Sequence, residues 1–89
     1  MNKVFISGTI SSDMEIYYSP KGEKIVIFSL FVEEGRFYIE VIYKDTGSAN
    51  ISDLKKTDKA VLSGVLTKAT KGAQDFFRLE ADKLFVMEV

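Results

Sequence analysis

Residues 24–44 read Lys-Ile-Val-Ile-Phe-Ser-Leu-Phe-Val-Glu-Glu-Gly-Arg-Phe-Tyr-Ile-Glu-Val-Ile-Tyr-Lys, and this stretch decides the fold class. Its first part, Lys24–Val32, is nearly continuous in apolar and β-branched residues, as in a strand with both faces covered. The sequence Glu-Glu-Gly at 33–35 then predicts a tight hairpin, with Gly35 in the left-handed conformation. The strand that follows, Arg36–Lys44, has apolar residues at every odd position and mixed residues at the even positions.

Period-two alternation in this third predicted strand separates an inward set from an outward set. The inward set is Phe37, Ile39, Val41 and Tyr43, and the outward set is Tyr38, Glu40, Ile42 and Lys44. A register slip of one residue would exchange Tyr38 for Phe37 and Tyr43. We prefer Tyr38 outward, because the other register turns Glu40 into the core and leaves four apolar side chains outside.

The segment before the hairpin predicts one long strand followed by a turn. Val, Phe and Ile are frequent in Lys3–Ile10, and this strand is expected to continue past the polar residues 11–13 into Met14–Tyr18. Pro20 presets φ and Gly22 supplies a positive φ, so residues 19–22 are expected to turn the chain into the second strand.

The segment after the hairpin predicts a short helix and two further strands. Within 45–57, the helix would use a polar cap and two core-facing apolar residues: Ser48 or Asn50, and Ile51 and Leu54. Ala60–Lys68 predicts a fourth strand with a bulge or bend at Gly64, and Phe76–Met87 predicts a fifth. The whole pattern predicts an all-β fold, a five-stranded OB-fold barrel with a short helix between strands 3 and 4, occupying residues 1–89 as a single domain.

Composition excludes most enzyme chemistry. The chain has 89 residues with neither Cys nor His, which excludes thiol nucleophiles, disulfides, zinc fingers and imidazole bases. The carboxylates are scattered and no glycine-rich segment has P-loop spacing, so neither catalysis nor a cofactor or metal is predicted. No apolar run approaches the ~18–20 residues of a membrane span, and the N-terminus lacks a signal-peptide layout, so a cytoplasmic protein is expected.

The charge is unevenly distributed along the chain. The formal net charge is −1, which provides no attraction of the whole molecule for nucleic acid. Residues 55–78, however, contain six Lys and Arg residues against two Asp residues, which is a local net charge of +4. A local basic strip is therefore compatible with the acidic mean.

Several blocks, in order along the chain, resemble bacterial single-stranded DNA-binding proteins. They include Met-Asn-Lys-Val-Phe-Ile-Ser-Gly-Thr-Ile at 1–10, Asp-Met-Glu-Ile-Tyr-Tyr-Ser-Pro-Lys-Gly at 13–22, Ile-Phe-Ser-Leu at 27–30, Tyr-Ile-Glu-Val-Ile at 38–42 and Arg-Leu-Glu-Ala-Asp-Lys-Leu at 78–84. The resemblance implies an OB fold, usually a homodimer or homotetramer, that binds single strands in replication, repair or recombination. This chain resembles a short member, with a short loop at 33–35, no Trp and no acidic C-terminal tail that would recruit replication or recombination proteins.

Binding of single strands without sequence readout needs flat π faces for the bases and cations along the phosphates. Tyr38 occupies the position where the family's stacking Trp most naturally falls, and Tyr18 matches an aromatic of the family pattern. Phe76 and Phe77 point to opposite faces, so one of them is expected to stack. The nucleic-acid-binding set comprises Lys3, Tyr18, Arg36, Tyr38, Lys44, Lys68, Lys71, Phe76, Phe77 and Arg78.

Three functional hypotheses remain open at this level. The first is a largely sequence-nonspecific single-stranded DNA-binding protein. The second is a primosomal-type OB module for protein interaction or assembly, in which the exposed aromatic residues bury against another protein. The third is an RNA-binding OB module, since OB surfaces accept either backbone.

Overall fold

The computed structural model of the protein describes residues 2–45 and 55–87. These residues form six strands: β1 Val4–Ile10, β2 Glu15–Tyr18, β3 Lys24–Val32, β4 Phe37–Asp45, β5 Lys59–Lys71 and β6 Gln74–Met87. The predicted all-β class is confirmed. The residues expected to cap the helix or to face the core from it fall within 46–54, outside the described residues.

The strands form one sheet in the order β1-β5-β6-β4-β3-β2. Neighbours are antiparallel except for β4 and β6, which run parallel. In addition, β1 pairs with β3 at Thr9–Phe31 and Ile10–Leu30, so the pairings from β1 through β5, β6, β4 and β3 lead back to β1. The short strand β2 lies outside this circuit and pairs with β3.

The predicted first strand is divided in two, which is why the described residues contain six strands instead of five. Hydroxyl groups interrupt the backbone ladder at the break. The Ser11 amide and hydroxyl both donate to the Ser29 carbonyl, and the Ser29 amide donates to the Ser12 hydroxyl at 2.8 Å. The ladder is therefore interrupted at 11–12, and pairing with β3 resumes at Glu15 and Ile27 with the register shifted by two residues.

The core follows the predicted alternation. Ile39, Val41 and Tyr43 of β4 are buried, as are the even positions 26–32 of β3, whose odd positions are half-buried. The buried hydrophobic residues are Ile10, Val26, Phe28, Leu30, Val32, Ile39, Val41, Tyr43, Ala60, Leu62, Leu79 and Leu84. Phe37 was expected inside but is 45% exposed, because it begins β4 at the hairpin turn, beyond the packed centre of the sheet.

The two glycines at the hairpin and the bulge have different roles. The prediction that Gly35 takes the left-handed conformation is wrong, because Arg36 holds it with φ 54°. A Cβ at Gly35 would lie 2.6 Å from Cδ1 of Phe37, so a larger residue there would require the exposed Phe37 ring to move aside. The predicted bulge at Gly64 is confirmed by a register shift between residues 63 and 64, where the chain passes close to the backbone of Glu80.

Candidate nucleic-acid interface

Tyr38 lies outside the core, as predicted. Its side chain is 68% exposed, while Ile39 and Val41 beside it are buried. Directly paired residues share a face of a sheet, so the strand register identifies the residues around Tyr38. We call this surface the outer face; it carries Ile25, Ile27, Ser29 and Phe31 of β3, Tyr38, Glu40, Ile42 and Lys44 of β4, and Phe76, Arg78 and Glu80 of β6.

Three aromatic side chains form a row across the outer face. Phe31 pairs with Tyr38 across β3 and β4, and the two ring centroids are 5.0 Å apart with a tilt of 51°. Phe76 continues the row on β6. Arg78 pairs with Glu40 on the parallel strand β4, so the residues two positions earlier, Phe76 and Tyr38, also lie side by side. We call Phe31, Tyr38 and Phe76 the aromatic row. Phe31 was not in the binding set predicted from the sequence, and its pairing with Tyr38 adds it to this surface.

The predicted cations near this row differ in their partners. Arg78 Nε bonds to Oε2 of Glu40 at 2.8 Å, and its Cζ lies 5.6 Å from the centroid of the Phe76 ring. Within the described ranges, Arg36 in the β3–β4 turn and Lys71 at the end of β5 form no salt bridge. These two are therefore the cations of the predicted set that are most available to phosphate groups.

The three other predicted cations are engaged with carboxylates. Lys44 lies on the outer face and pairs with Glu23 at 3.2 Å, and Lys68 pairs with Asp75 at 3.1 Å. Lys3 precedes β1 and forms a salt bridge with Asp82, far along the sheet from the aromatic row. Exposed ion pairs contribute little and exchange partners readily, so these lysines remain accessible to an anion.

Two predicted aromatic residues do not share the outer face. Phe77 pairs with Lys68 and points to the side of the β5–β6 hairpin opposite Phe76, where it is 65% exposed. Tyr18 pairs with Lys24, whereas its neighbour Tyr17 pairs with Ile25 and belongs to the outer face. The register therefore brings Tyr17, not Tyr18, to the side of the sheet that carries Tyr38.

A groove of about 430 Å³ beside Tyr38 is acidic. Its lining includes the carboxylates of Asp13, Glu15 and Glu40 and contains no Lys or Arg. The Tyr17 hydroxyl donates to Oε2 of Glu15 at 3.0 Å, and this hydrogen bond, with the nearby charge, raises the pKa of Tyr17. Glu40 is paired with Arg78, but Asp13 and Glu15 form no salt bridge among the described residues, so this side of the aromatic row is unfavourable for phosphate groups.

Residues 2–45 and 55–87 contain neither a metal-binding cluster nor a membrane-spanning helix. No group of three or more Asp and Glu side chains there is arranged to hold a metal ion. In the same residues, no helix is long and apolar enough to cross a bilayer.

Comparison with solved structures confirms the resemblance predicted from the sequence: the fold is that of bacterial single-stranded DNA binding proteins. The wild-type protein from Thermus aquaticus matches with a TM-score of 0.86 and 26% identity over 100% of this chain and 41% of that chain. A deletion mutant of the same protein, delta 228-252 R190A, gives a TM-score of 0.85 and 27% identity over 100% of this chain and 42% of that chain. The chain thus spans about two-fifths of the Thermus aquaticus protein.

A further match is the N-terminal domain of PriB protein from Thermoanaerobacter tencongensis, whose structure is described as dimeric. It has a TM-score of 0.75 and 19% identity, covering 99% of this chain and 98% of that chain, and at this identity the likeness concerns the fold alone. No protein-family model matches the chain. No curated protein matches it either.

Proposed function

We propose that this protein binds single-stranded DNA with little sequence preference and protects or organises it in replication, repair or recombination. The observation that carries the proposal is the aromatic row, with Tyr38 68% exposed, on a fold similar to that of the Thermus aquaticus protein. Bases stack on aromatic side chains irrespective of their identity, which accounts for the lack of sequence preference. Binding, without catalysis, is the proposed activity, and the cytoplasm is the proposed location.

The strand topology supports a path for the phosphates. Because β4 and β6 run parallel, the turns that precede them lie at the same end of the sheet. Arg36 lies in the turn before β4, and Lys71 lies at the end of β5, next to the turn before β6. The aromatic row is on the strands directly beside these two turns. Adjacent strands are ~4.8 Å apart, so the row from Phe31 to Phe76 spans ~10 Å. We place the DNA backbone along this end, on the side of the row away from the acidic groove.

We also propose that the protein acts as a homodimer or homotetramer. One edge of β1 pairs with β5 over Val4–Thr9, whereas the other edge pairs with β3 only at Thr9 and Ile10. Within the described residues, the β3-facing edge of β1 has no strand partner over residues 4–7. On the adjacent surface the side chains of Phe5 and Phe85 are 75% and 63% exposed. An unpaired strand edge and exposed apolar rings favour association with a second copy. Light scattering coupled to size exclusion measures the resulting mass.

The remaining architectural proposals follow from the resemblance. We infer that the circuit of strand pairings is an OB-fold barrel, that the segment between β4 and β5 contains the short helix predicted from the sequence, and that residues 1–89 form one domain. Circular dichroism of the protein, with and without a substitution of Leu54 by Pro, tests the helix.

Fluorescence anisotropy with labelled single-stranded DNA, single-stranded RNA and duplex DNA tests the proposed function. We expect the single-stranded DNA to bind, with an affinity that falls as salt rises. Each phosphate contact on a single strand contributes about −0.7 to the slope of log K against log salt concentration. Contacts from Arg36 and Lys71 to two phosphates therefore predict a slope of about −1.4 or steeper. Stronger binding of RNA would support the RNA-binding alternative. Failure to bind any of the three would favour the primosomal-type assembly module.

A further inference from the structure

Arg78 is the cation that touches the aromatic row, yet its charge is already neutralised. Its Nε lies 2.8 Å from Oε2 of Glu40, and the two side chains are 30% and 34% exposed. The guanidinium carbon lies 5.6 Å from the centroid of the Phe76 ring. Arg78 is therefore held between a carboxylate on β4 and an aromatic ring on its own strand.

A phosphate that approaches Arg78 meets the charge of Glu40 at the same place. As long as the ion pair stays closed, attraction to the guanidinium and repulsion by the carboxylate nearly cancel. If the pair opened, Glu40 would face both the phosphate and the carboxylates of Asp13 and Glu15, which line the same groove. Exchange of Glu40 for a phosphate is therefore opposed by the charges around it, unlike exchange at an isolated surface ion pair.

We propose that Glu40 is a positioning residue that holds Arg78 against Phe76 as part of the stacking surface and keeps it from contacting phosphate. This inference rests on the proposed binding of single-stranded DNA and concerns how the same surface works. Arg78 then extends the flat surface under a base through its guanidinium plane. The phosphates are neutralised by other cations, Arg36 and Lys71 among them, and the salt dependence of binding contains no contribution from Arg78.

The variant Glu40→Gln tests this role, because glutamine has nearly the same shape but no charge. Releasing the charge of Arg78 adds one phosphate contact, so the log–log salt slope with oligo-dT becomes steeper by about 0.7. The affinity gain over the wild-type protein should accordingly shrink about fivefold when NaCl is raised tenfold. Glu80→Gln is the matched control: Glu80 lies on the same face, two residues from Arg78, and forms no salt bridge among the described residues. It removes the same net charge without releasing Arg78, and its slope should equal that of the wild-type protein.

The double variant Glu40→Gln/Arg78→Gln separates the two possible roles of Arg78. We expect its slope to match the wild-type slope, because a neutral pair has been replaced by neutral side chains. A double-variant slope shallower by about 0.7 would show that Arg78 already contacts phosphate in the wild-type protein, which overturns the inference. Equal steepening by Glu40→Gln and Glu80→Gln would also overturn it, since the effect would then be one of net charge.

Thermal unfolding of the variants and oligo-dT binding by the wild-type protein distinguish these outcomes. Thermal unfolding followed by circular dichroism establishes that each variant is folded; if Glu40→Gln does not fold, the double variant decides the question alone. If the wild-type protein does not bind oligo-dT, the proposed function fails and this inference fails with it. If the wild-type protein binds with a salt-dependent affinity and Glu40→Gln leaves the slope unchanged, only the role of Glu40 is refuted.

Discussion

Replacing Tyr38 by Ala removes the most exposed ring of the aromatic row. The side chain is 68% exposed, and its ring packs against Phe31 with centroids 5.0 Å apart. Phe31 covers part of the Tyr38 ring, and the part that stays exposed can stack with one base. We therefore expect Tyr38→Ala to remove the stacking of a single base from the complex.

The magnitude follows from that geometry. Stacking of one base on an aromatic side chain contributes ~1–3 kcal/mol, which corresponds to an increase in Kd of about fivefold to about 150-fold. Folding should be affected less, because Tyr38 lies outside the core and only its contact with Phe31 is lost; aromatic pairs contribute ~0.5–1.5 kcal/mol. The expected signature is a large loss of affinity with a small decrease in the free energy of unfolding.

Anisotropy titrations with labelled oligo-dT at one fixed salt concentration measure the effect. Tyr38→Phe should keep most of the affinity, since the ring is retained. Tyr18→Ala is the matched control, because Tyr18 is 69% exposed but its side chain lies on the other side of the sheet. An unchanged Kd for Tyr38→Ala, or an equal loss for Tyr18→Ala, would refute the assignment of the outer face.

The remaining predictions concern stability. Gly64→Ala would place a Cβ against the backbone of Glu80 and Ala81, which cannot move aside, so chemical denaturation should show a loss of ~1–3 kcal/mol. Leu62→Ala creates a cavity at a fully buried position and should cost ~2–5 kcal/mol, measured in the same way. The pKa of the Asp82 carboxyl lies below its ordinary value of 3.8, and the largest cause is the hydrogen bond that Lys3 donates to it. Ionised Asp82 therefore stabilises the folded state at pH values above 3.8, and this stabilisation is lost as the pH falls through the lowered pKa. Asp82→Asn should accordingly flatten the decline in thermal stability between about pH 5 and about pH 2.

Much of the fold could be predicted because short-range rules act within each strand. The alternation in 36–44 correctly predicts that Ile39, Val41 and Tyr43 are buried and that Tyr38 faces outward. The bulge at Gly64 was likewise predicted from a glycine within an apolar strand. The break between β1 and β2 was not predicted, since it depends on hydroxyl groups that bond to Ser29, a residue distant in sequence.

The candidate site was predicted less completely. Tyr38, Phe76 and Arg78 were chosen from the sequence and lie together on the outer face. Adjacent aromatic residues could not be assigned to a side, and the register selects Tyr17 over Tyr18 for the outer face. The acidic groove was also not predicted, because its three carboxylates come from the segment before β2, from β2 itself and from β4.

The amino-acid sequence alone determined the all-β class, the turn at 33–35 and the face of β4 that enters the core, because a period of two is a local property of the chain. Only the tertiary structure decided which strands are neighbours. That pairing puts Phe31 beside Tyr38 and brings Arg78 within 2.8 Å of Glu40, 38 residues away in the chain. Alternation says which side chains share a face of one strand, but strand pairing across long sequence separations depends on packing of the whole core, and it is this pairing that assembles the surface proposed to bind DNA.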